Sequence, residues 1–264
     1  MGPLLMLGAG RMGGALISGW RRAGLLTPGD LMITDPHPGE EALAAISEGA
    51  RHDPDAAGMG KAACVLLAVK PQLWREAAAA VSGSLSPEAV IVSVAAGVSA
   101  AEISKGFGGR PVARVMPTTA AAIGQGTASL FAPDPRASHL ARTLFTAVGT
   151  VVDLEDEALM HAATAVSGSA PAYLYAFVEA LEAAGVTAGL TPEAARTLAR
   201  ATISGAAALM AQSGVDPAVL RRQVTSPGGT TQAALEVLMG ADGLEPLLKA
   251  AVAAAAARSR ALAL

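Results

Sequence analysis

The sequence predicts an α/β N-terminal domain, doubly wound around a mainly parallel sheet, followed by an all-α domain. Two observations carry this. Short, near-continuous apolar runs alternate with helical stretches up to Val152, the pattern of strands buried on both faces of a parallel sheet. From Glu155 onward the two-residue period disappears and the stretches read as helix, several opened by an N-cap and first-turn proline such as Thr191-Pro192 and Asp216-Pro217. The domains follow as residues 1–154 and 155–264.

The first strand is Leu4-Leu5-Met6-Leu7, and the turn after it, Gly8-Ala9-Gly10-Arg11-Met12-Gly13, opens a helix over Met12 to Ala23. A strand, a tight glycine turn and a helix in that order suit a dinucleotide pyrophosphate. One glycine makes the turn, one lets the backbone approach the phosphates, and one lets helix and strand pack closely. Free N–H groups at the helix start face the anion. The second strand, Leu31 to Asp35, ends on an acid about 20 residues past the turn, where a Rossmann domain holds the adenine ribose. The bound cofactor is therefore expected to be a dinucleotide. Asp35 favours NADH, because a carboxylate bonds the ribose 2′-hydroxyl and repels a 2′-phosphate.

A helix is expected over Glu40 to Glu48, then strands at Ala62 to Val69, Val90 to Val94, Pro111 to Met116, Gly126 to Ala132 and Thr150 to Val152. Helices fall between them, one ending at Val81, one capped by Ser99 with Glu102, and one over Pro135 to Val148. Ligands of such a sheet sit beyond the carboxyl ends of the strands. Val69-Lys70-Pro71, Ala95-Ala96-Gly97 and Met116-Pro117-Thr118 end three of them, with small residues that leave space for a flat ring.

The second half reads as helices over Glu155–Val166, Ala170–Ala184, Pro192–Gln212, Pro217–Gln223, Thr231–Met239 and Leu244–Arg260. These are alanine-dense and apolar on more than one face, which points to an interwoven homodimer. Between two of them lies Ser226-Pro227-Gly228-Gly229-Thr230-Thr231. By itself this is either a turn with a threonine cap or a small anion pocket of backbone donors and hydroxyls. No catalytic triad or metal cluster competes with it, since His52, His139 and His161 are scattered.

Of the 264 residues 52% are hydrophobic and 16% charged, and the formal net charge is −3 with no basic block. Nucleic acid is not an expected partner, nor is a membrane or a metal, and a cytoplasmic enzyme is expected. The single cysteine, Cys64, lies in an apolar run and reads as a small core residue.

The chain resembles the pyrroline-5-carboxylate reductase family. The resemblance is carried by Val224 to Thr231, Ala68-Val69-Lys70-Pro71-Gln72, Arg114-Val115-Met116-Pro117, Ser167-Gly168-Ser169 with Pro171-Ala172-Tyr173, and Arg258-Ser259, in matching order across both halves. It implies a Rossmann domain plus a helical dimerisation domain, with dimers often gathered into pentamers of dimers. It implies that Gly8, Ala9, Gly10, Arg11, Met12, Gly13, Asp35, Ala68, Val69, Lys70, Pro71, Ala95, Ala96 and Gly97 hold the nicotinamide cofactor. Ser226, Gly228, Gly229, Thr230 and Thr231 would hold the substrate carboxylate and imine, with the Thr231 hydroxyl as the catalytic group bonding the imine nitrogen. The two pockets for negative charge are expected to face each other across the reacting ring. Departures from the family pattern are Thr118 and Ala120 after Met116-Pro117, Ala170 in place of a glycine, and Arg221-Arg222 before Val224. The alternatives are a reductase of another cyclic imine or hydroxy acid on the same plan, and a catalytically silent nucleotide-sensing homologue.

Overall fold

The computed structural model describes residues 2–262. The chain forms two close-packed units: the first runs to Gly168 and takes back the last turns of the chain from Ala255, and the second is Ser169–Ala254.

In the first unit the order is β1 (Leu4–Leu7), α1 (Arg11–Arg22), β2 (Leu31–Thr34), α2 (Glu40–Ser47), β3 (Arg51–His52), α3 (Ala56–Met59), β4 (Cys64–Leu67), α4 (Trp74–Val81), β5 (Val90–Ser93), α5 (Ala100–Gly106), β6 (Val112–Pro117), β7 (Gly126–Phe131), α6 (Pro135–Thr146), β8 (Gly149–Asp153) and α7 (Met160–Ala163). The sheet order is β3-β2-β1-β4-β5-β6-β7-β8. Every pairing is parallel except β6 with β7. Those two are joined by a short 3₁₀ turn over Thr119–Ile123, too little chain for a helical crossover. Thr118 locks the pair: its N–H donates to the Thr127 carbonyl and its hydroxyl accepts the Thr127 N–H, both at 3.0 Å.

Alternation along each strand divides the core between two faces. Leu4, Met6, Ile33, Leu66 and Val92 meet Leu16, Ile17 and Trp20 of α1 and Leu144 and Phe145 of α6. Leu5, Leu7, Val65, Leu67 and Ile91 meet Trp74 and Val81 of α4 and Ile103 of α5. Burial on both sides is why the strands read as unbroken apolar runs. The Trp20 indole satisfies its N–H on the Leu144 carbonyl at 2.7 Å, and its ring meets Phe145 edge to face.

Two expectations change. The edge strand β3 and the short α3 carry no apolar signature, so nothing in the sequence marked them. The helix expected over Glu155–Val166 is instead a 3₁₀ turn at Glu157–Leu159, the single turn α7, and a π turn over Thr164–Gly168. There the Thr164 and Ser167 hydroxyls donate to the carbonyls of Met160 and Ala163, the back-bonding that bends helices. The first unit extends through Gly168. Glu157 explains this, since its Oε1 accepts the Ala100 N–H and the buried Arg114 Nη1, each at 2.7 Å. His161 Nδ1 lies 3.0 Å from Ser259 Oγ, which ties the last helix to the same place. Burial first, then the Arg114 and Arg260 guanidinium groups, hold the His161 pKa below the usual imidazole value.

The second unit contains α8 (Ala170–Thr187), α9 (Pro192–Ser213), α10 (Pro217–Gln223) and α11 (Thr230–Leu238), and α12 (Leu244–Leu262) starts in it. Proline in the first turn of α8, α9 and α10 stands where the N–H has no helical partner. Ala195 and Ala199 are buried, whereas Leu174, Tyr175, Phe177, Leu181, Leu198 and Met210 are exposed in the single chain. An open groove of about 530 Å³ runs over this face, lined by Leu174, Val178 and Ile203 among others. No helix of the described residues is long and apolar enough to cross a membrane.

At the amino ends of the strands Arg110 gathers three carbonyls: Ser86 by Nε at 2.9 Å, Phe107 by Nη1 at 2.6 Å and Leu85 by Nη2 at 2.7 Å. Arg110→Met strands all three and is expected to lower stability by about 2–4 kcal/mol. A urea titration should show the lower midpoint while turnover at saturation stays near wild type.

Candidate active site

At the end of β1 the chain turns through Gly8 at φ +88°, the left-handed region. A Cβ there would lie 2.8 Å from the Val69 nitrogen, so the backbone passes directly against the end of β4. Gly13 is equally constrained, its Cβ position lying 2.7 Å from the Gly8 carbonyl oxygen. Gly10 differs. It has an ordinary negative φ and nothing within 4 Å of its Cβ position. At this place in the turn the lack of a side chain leaves room for a phosphate to approach the backbone.

Gly10 is also the N-cap of α1 and supplies no side-chain cap, and the first turn carries no acid. The N–H groups of Arg11, Met12 and Gly13 find no partner among the described residues. These donors, with the helix dipole behind them, fit a pyrophosphate.

Asp35 follows β2, and its carboxylate does more than expected. Oδ2 accepts the Ala9 N–H at 2.6 Å and Oδ1 accepts the His37 N–H at 2.8 Å. The Ala9 N–H is thus committed to Asp35 rather than free for phosphate, and the Ala9 side chain is fully buried. Each carboxylate oxygen keeps a lone pair for a ribose hydroxyl. Beside it, His52 on β3 places Nε2 3.1 Å from the Asp35 carbonyl oxygen.

The other expected residues of this unit lie at the carboxyl ends of β4 and β5. Ala68, Val69 and Pro71 are half-buried, and Lys70 is exposed without an ion pair among the described residues. Ala95 is buried, and Gly97 turns with φ +78°. Thr118 faces inward to β7, its hydroxyl already engaged.

In the second unit Ser226 to Thr231 joins α10 to α11. The turn passes through Gly228 at φ +69°, and Gly229 is the N-cap of α11 without a side-chain cap. Two of the expected donors are taken: the Gly229 N–H donates to the Ser226 carbonyl at 3.0 Å, and the Gly228 N–H to the Gln232 Oε1 at 2.8 Å. The open donors lie one step further on, at the N–H groups of Thr230, Thr231 and Gln232. Ser226 and Thr230 are exposed and Thr231 is half-buried. The Thr231 hydroxyl has no partner among the described residues. Sequence reasoning missed Gln232; its signal is a glutamine at the third helical position, from which a side chain can reach back to the residues before the helix.

The glycine cradle, the acid after β2 and the strand order define a nicotinamide-dinucleotide oxidoreductase with a helical second domain. A family model described as pyrroline-5-carboxylate reductase dimerisation matches residues 157–262. One described as NADP oxidoreductase, coenzyme F420-dependent, matches residues 4–97. A pyrroline-5-carboxylate reductase of Pseudomonas aeruginosa is 40% identical over 98% of this chain and 96% of its own. One of Arabidopsis thaliana is 40% identical over 75% of this chain and 72% of its own. The solved pyrroline-5-carboxylate reductase of Coxiella burnetii superposes with a TM-score of 0.90 at 30% identity, over 100% of this chain and 99% of that one. The chain belongs to the pyrroline-5-carboxylate reductase family, NAD(P)H-dependent enzymes that reduce the C=N bond of pyrroline-5-carboxylate to give proline.

Gly10→Ala should separate binding from folding. The added methyl enters open space, so the thermal midpoint is expected to stay within about 1–2 °C. The dissociation constant for the nicotinamide cofactor, read by fluorescence titration, should rise tenfold or more. Gly13→Ala, with backbone in the way, should lower the midpoint clearly.

Proposed function

We propose that Ser226 to Thr231 is the substrate site of this reductase and that Thr231 is its catalytic residue. The observation that carries the reading is the open start of α11. A glycine cap leaves the N–H groups of Thr230 and Thr231 unpaired, beside a free threonine hydroxyl. A carboxylate suits those donors and the positive end of the helix. In this reading Ser226, Gly228 and Gly229 shape the turn, Thr230 and Thr231 bind the carboxylate through the backbone, and the Thr231 hydroxyl bonds the imine nitrogen.

Gly8 to Gly13, Asp35, Ala68 to Pro71 and Ala95 to Gly97 are proposed to hold the dinucleotide. When bound, reduced nicotinamide supplies the hydride that the imine carbon accepts. The chain supplies position and electrostatics. An unperturbed hydroxyl is a poor acid, so Thr231 orients the ring and the nitrogen takes its proton from water. NADH is the preferred form: the Asp35 carboxylate, fixed by two backbone N–H groups, meets a 2′-hydroxyl favourably and a 2′-phosphate with like charge.

The exposed apolar face of α8 and α9 supports a homodimer built by the helical domain. The pentamer of dimers is carried by the family resemblance, and the cytoplasmic location by the composition of the chain.

Thr231→Ala is expected to lower kcat about 10- to 100-fold, with cofactor affinity unchanged; wild-type turnover would remove Thr231 from the mechanism. For the cofactor, kcat/KM should favour NADH over NADPH by about tenfold, the effect of roughly one unfavourable charge contact, and Asp35→Ser should shrink that ratio. A strong wild-type preference for NADPH contradicts the assignment.

A further inference from the structure

We propose that Gln232 is the positioning residue that holds the substrate's carboxylate pocket in its binding shape. This rests on the reading of Ser226 to Thr231 as the substrate site.

The turn before α11 has little to hold it. Gly228 and Gly229 have no side chains, and glycine loses more conformational freedom on ordering than any other residue. Gly228 sits at φ +69°, a conformation that packing does not enforce, since nothing lies within 4 Å of its Cβ position. Beyond the Gly229 N–H on the Ser226 carbonyl, which closes the turn, a hydrogen bond reaches Gly228 from outside it. Gln232, one helical turn on, reaches back so that Oε1 accepts the Gly228 N–H at 2.8 Å. Its amide is anchored in turn, Nε2 donating to Glu236 Oε1 at 3.1 Å. The chain Gly228–Gln232–Glu236 therefore runs along one face of α11 with the residues spaced at i, i+4 and i+8, neighbours on a helical surface.

The arrangement is a capping box displaced by one residue. In the full motif a Ser or Thr at the N-cap occupies a first-turn N–H, and a Glu or Gln at the third helical position accepts the N-cap N–H. Here the cap, Gly229, has no side chain, and Gln232 accepts the N–H of Gly228, the residue before the cap. The bond that is present orders the turn, and a Ser or Thr at 229 would have taken a first-turn donor that a carboxylate can use. A neutral amide suits this place better than the equivalent acid, because a carboxylate at 232 would repel both Glu236 and the incoming anion. Gln232 touches no reacting atom in this scheme, so it should act on binding of the carboxylate and not on the chemical step.

The test uses the purified full-length enzyme with two substrates, pyrroline-5-carboxylate and 1-pyrroline, which has the same imine ring without the carboxylate. Gln232→Met keeps the length of the side chain and removes both bonds. It is expected to raise KM for pyrroline-5-carboxylate about tenfold, the usual scale for losing a fixed hydrogen bond, with kcat within twofold of wild type. Its kcat/KM for 1-pyrroline should stay within twofold. Glu236→Leu removes only the far anchor and should shift KM the same way by a smaller factor, which tests the chain of bonds without touching the turn. Gln232→Glu should raise KM at least as far as Gln232→Met, and added salt should reduce that rise. An unchanged KM in Gln232→Met, or equal losses on both substrates, would overturn the proposal. Failure of the substrate-site reading shows separately, as undiminished turnover in Thr231→Ala.

Discussion

The first unit depends on a close approach of backbone to backbone at Gly8. The Gly8 N–H donates to the Thr34 carbonyl at the end of β2, and the Ala68 N–H donates to Leu7 at the end of β1. Three strand ends are drawn together around a residue with no side chain, in a conformation other residues rarely adopt. Gly13 must then lie over the Gly8 carbonyl for α1 to return across the sheet. Once that geometry is set, Asp35 is within reach of Ala9, and the start of α1 opens toward the carboxyl ends of the strands. Adding one methyl at Gly8 would undo each of these in turn.

The two proposed anion pockets rest on the same omission. Five helices begin with a side chain that satisfies the first turn, at Asp55, Ser99, Asp134, Thr191 and Asp216. α1 and α11 begin on Gly10 and Gly229, with neither a side-chain cap nor an acid in the first turn. α2 also begins on a glycine, Gly39, but there Glu40 and Glu41 already set negative charge against the dipole. Replacing Ser or Asp at a cap by glycine costs only a few tenths of a kcal/mol, a small loss of helix stability in return for three unpaired donors. The two proposed sites thus lie at the helices that begin on a glycine with neither a cap nor an acid.

The sheet was legible because its strands are buried on both faces, so Leu4–Leu7, Cys64–Leu67 and Val90–Ser93 announce themselves by composition. The paired caps and prolines likewise gave α9 and α10 nearly to the residue. What composition could not reveal were elements held by polar contacts. Arg51–His52 becomes a strand only by pairing with Met32 and Ile33. The Glu157–Gly168 segment bends because hydroxyls of Thr164 and Ser167 compete for helix carbonyls. Within the site, the glycine positions were readable, but the fate of each N–H was not. Ala9, Gly228 and Gly229 look like free donors until the partners Asp35, Gln232 and Ser226 are placed in space.

The double engagement of Asp35 bears on how readily this enzyme's coenzyme preference can drift. In many dinucleotide-binding domains the acid after the second strand is a detachable specificity element. Here the carboxylate proposed to meet the ribose is also a strut, clamping Ala9 in the glycine turn and His37 in the following loop. A lineage that exchanged it for a small residue, to admit a bulkier ribose substituent, would slacken the cradle for either coenzyme at the same moment. The path to a new preference therefore runs through a weaker general binder, unless a second change first gives the Ala9 N–H another acceptor.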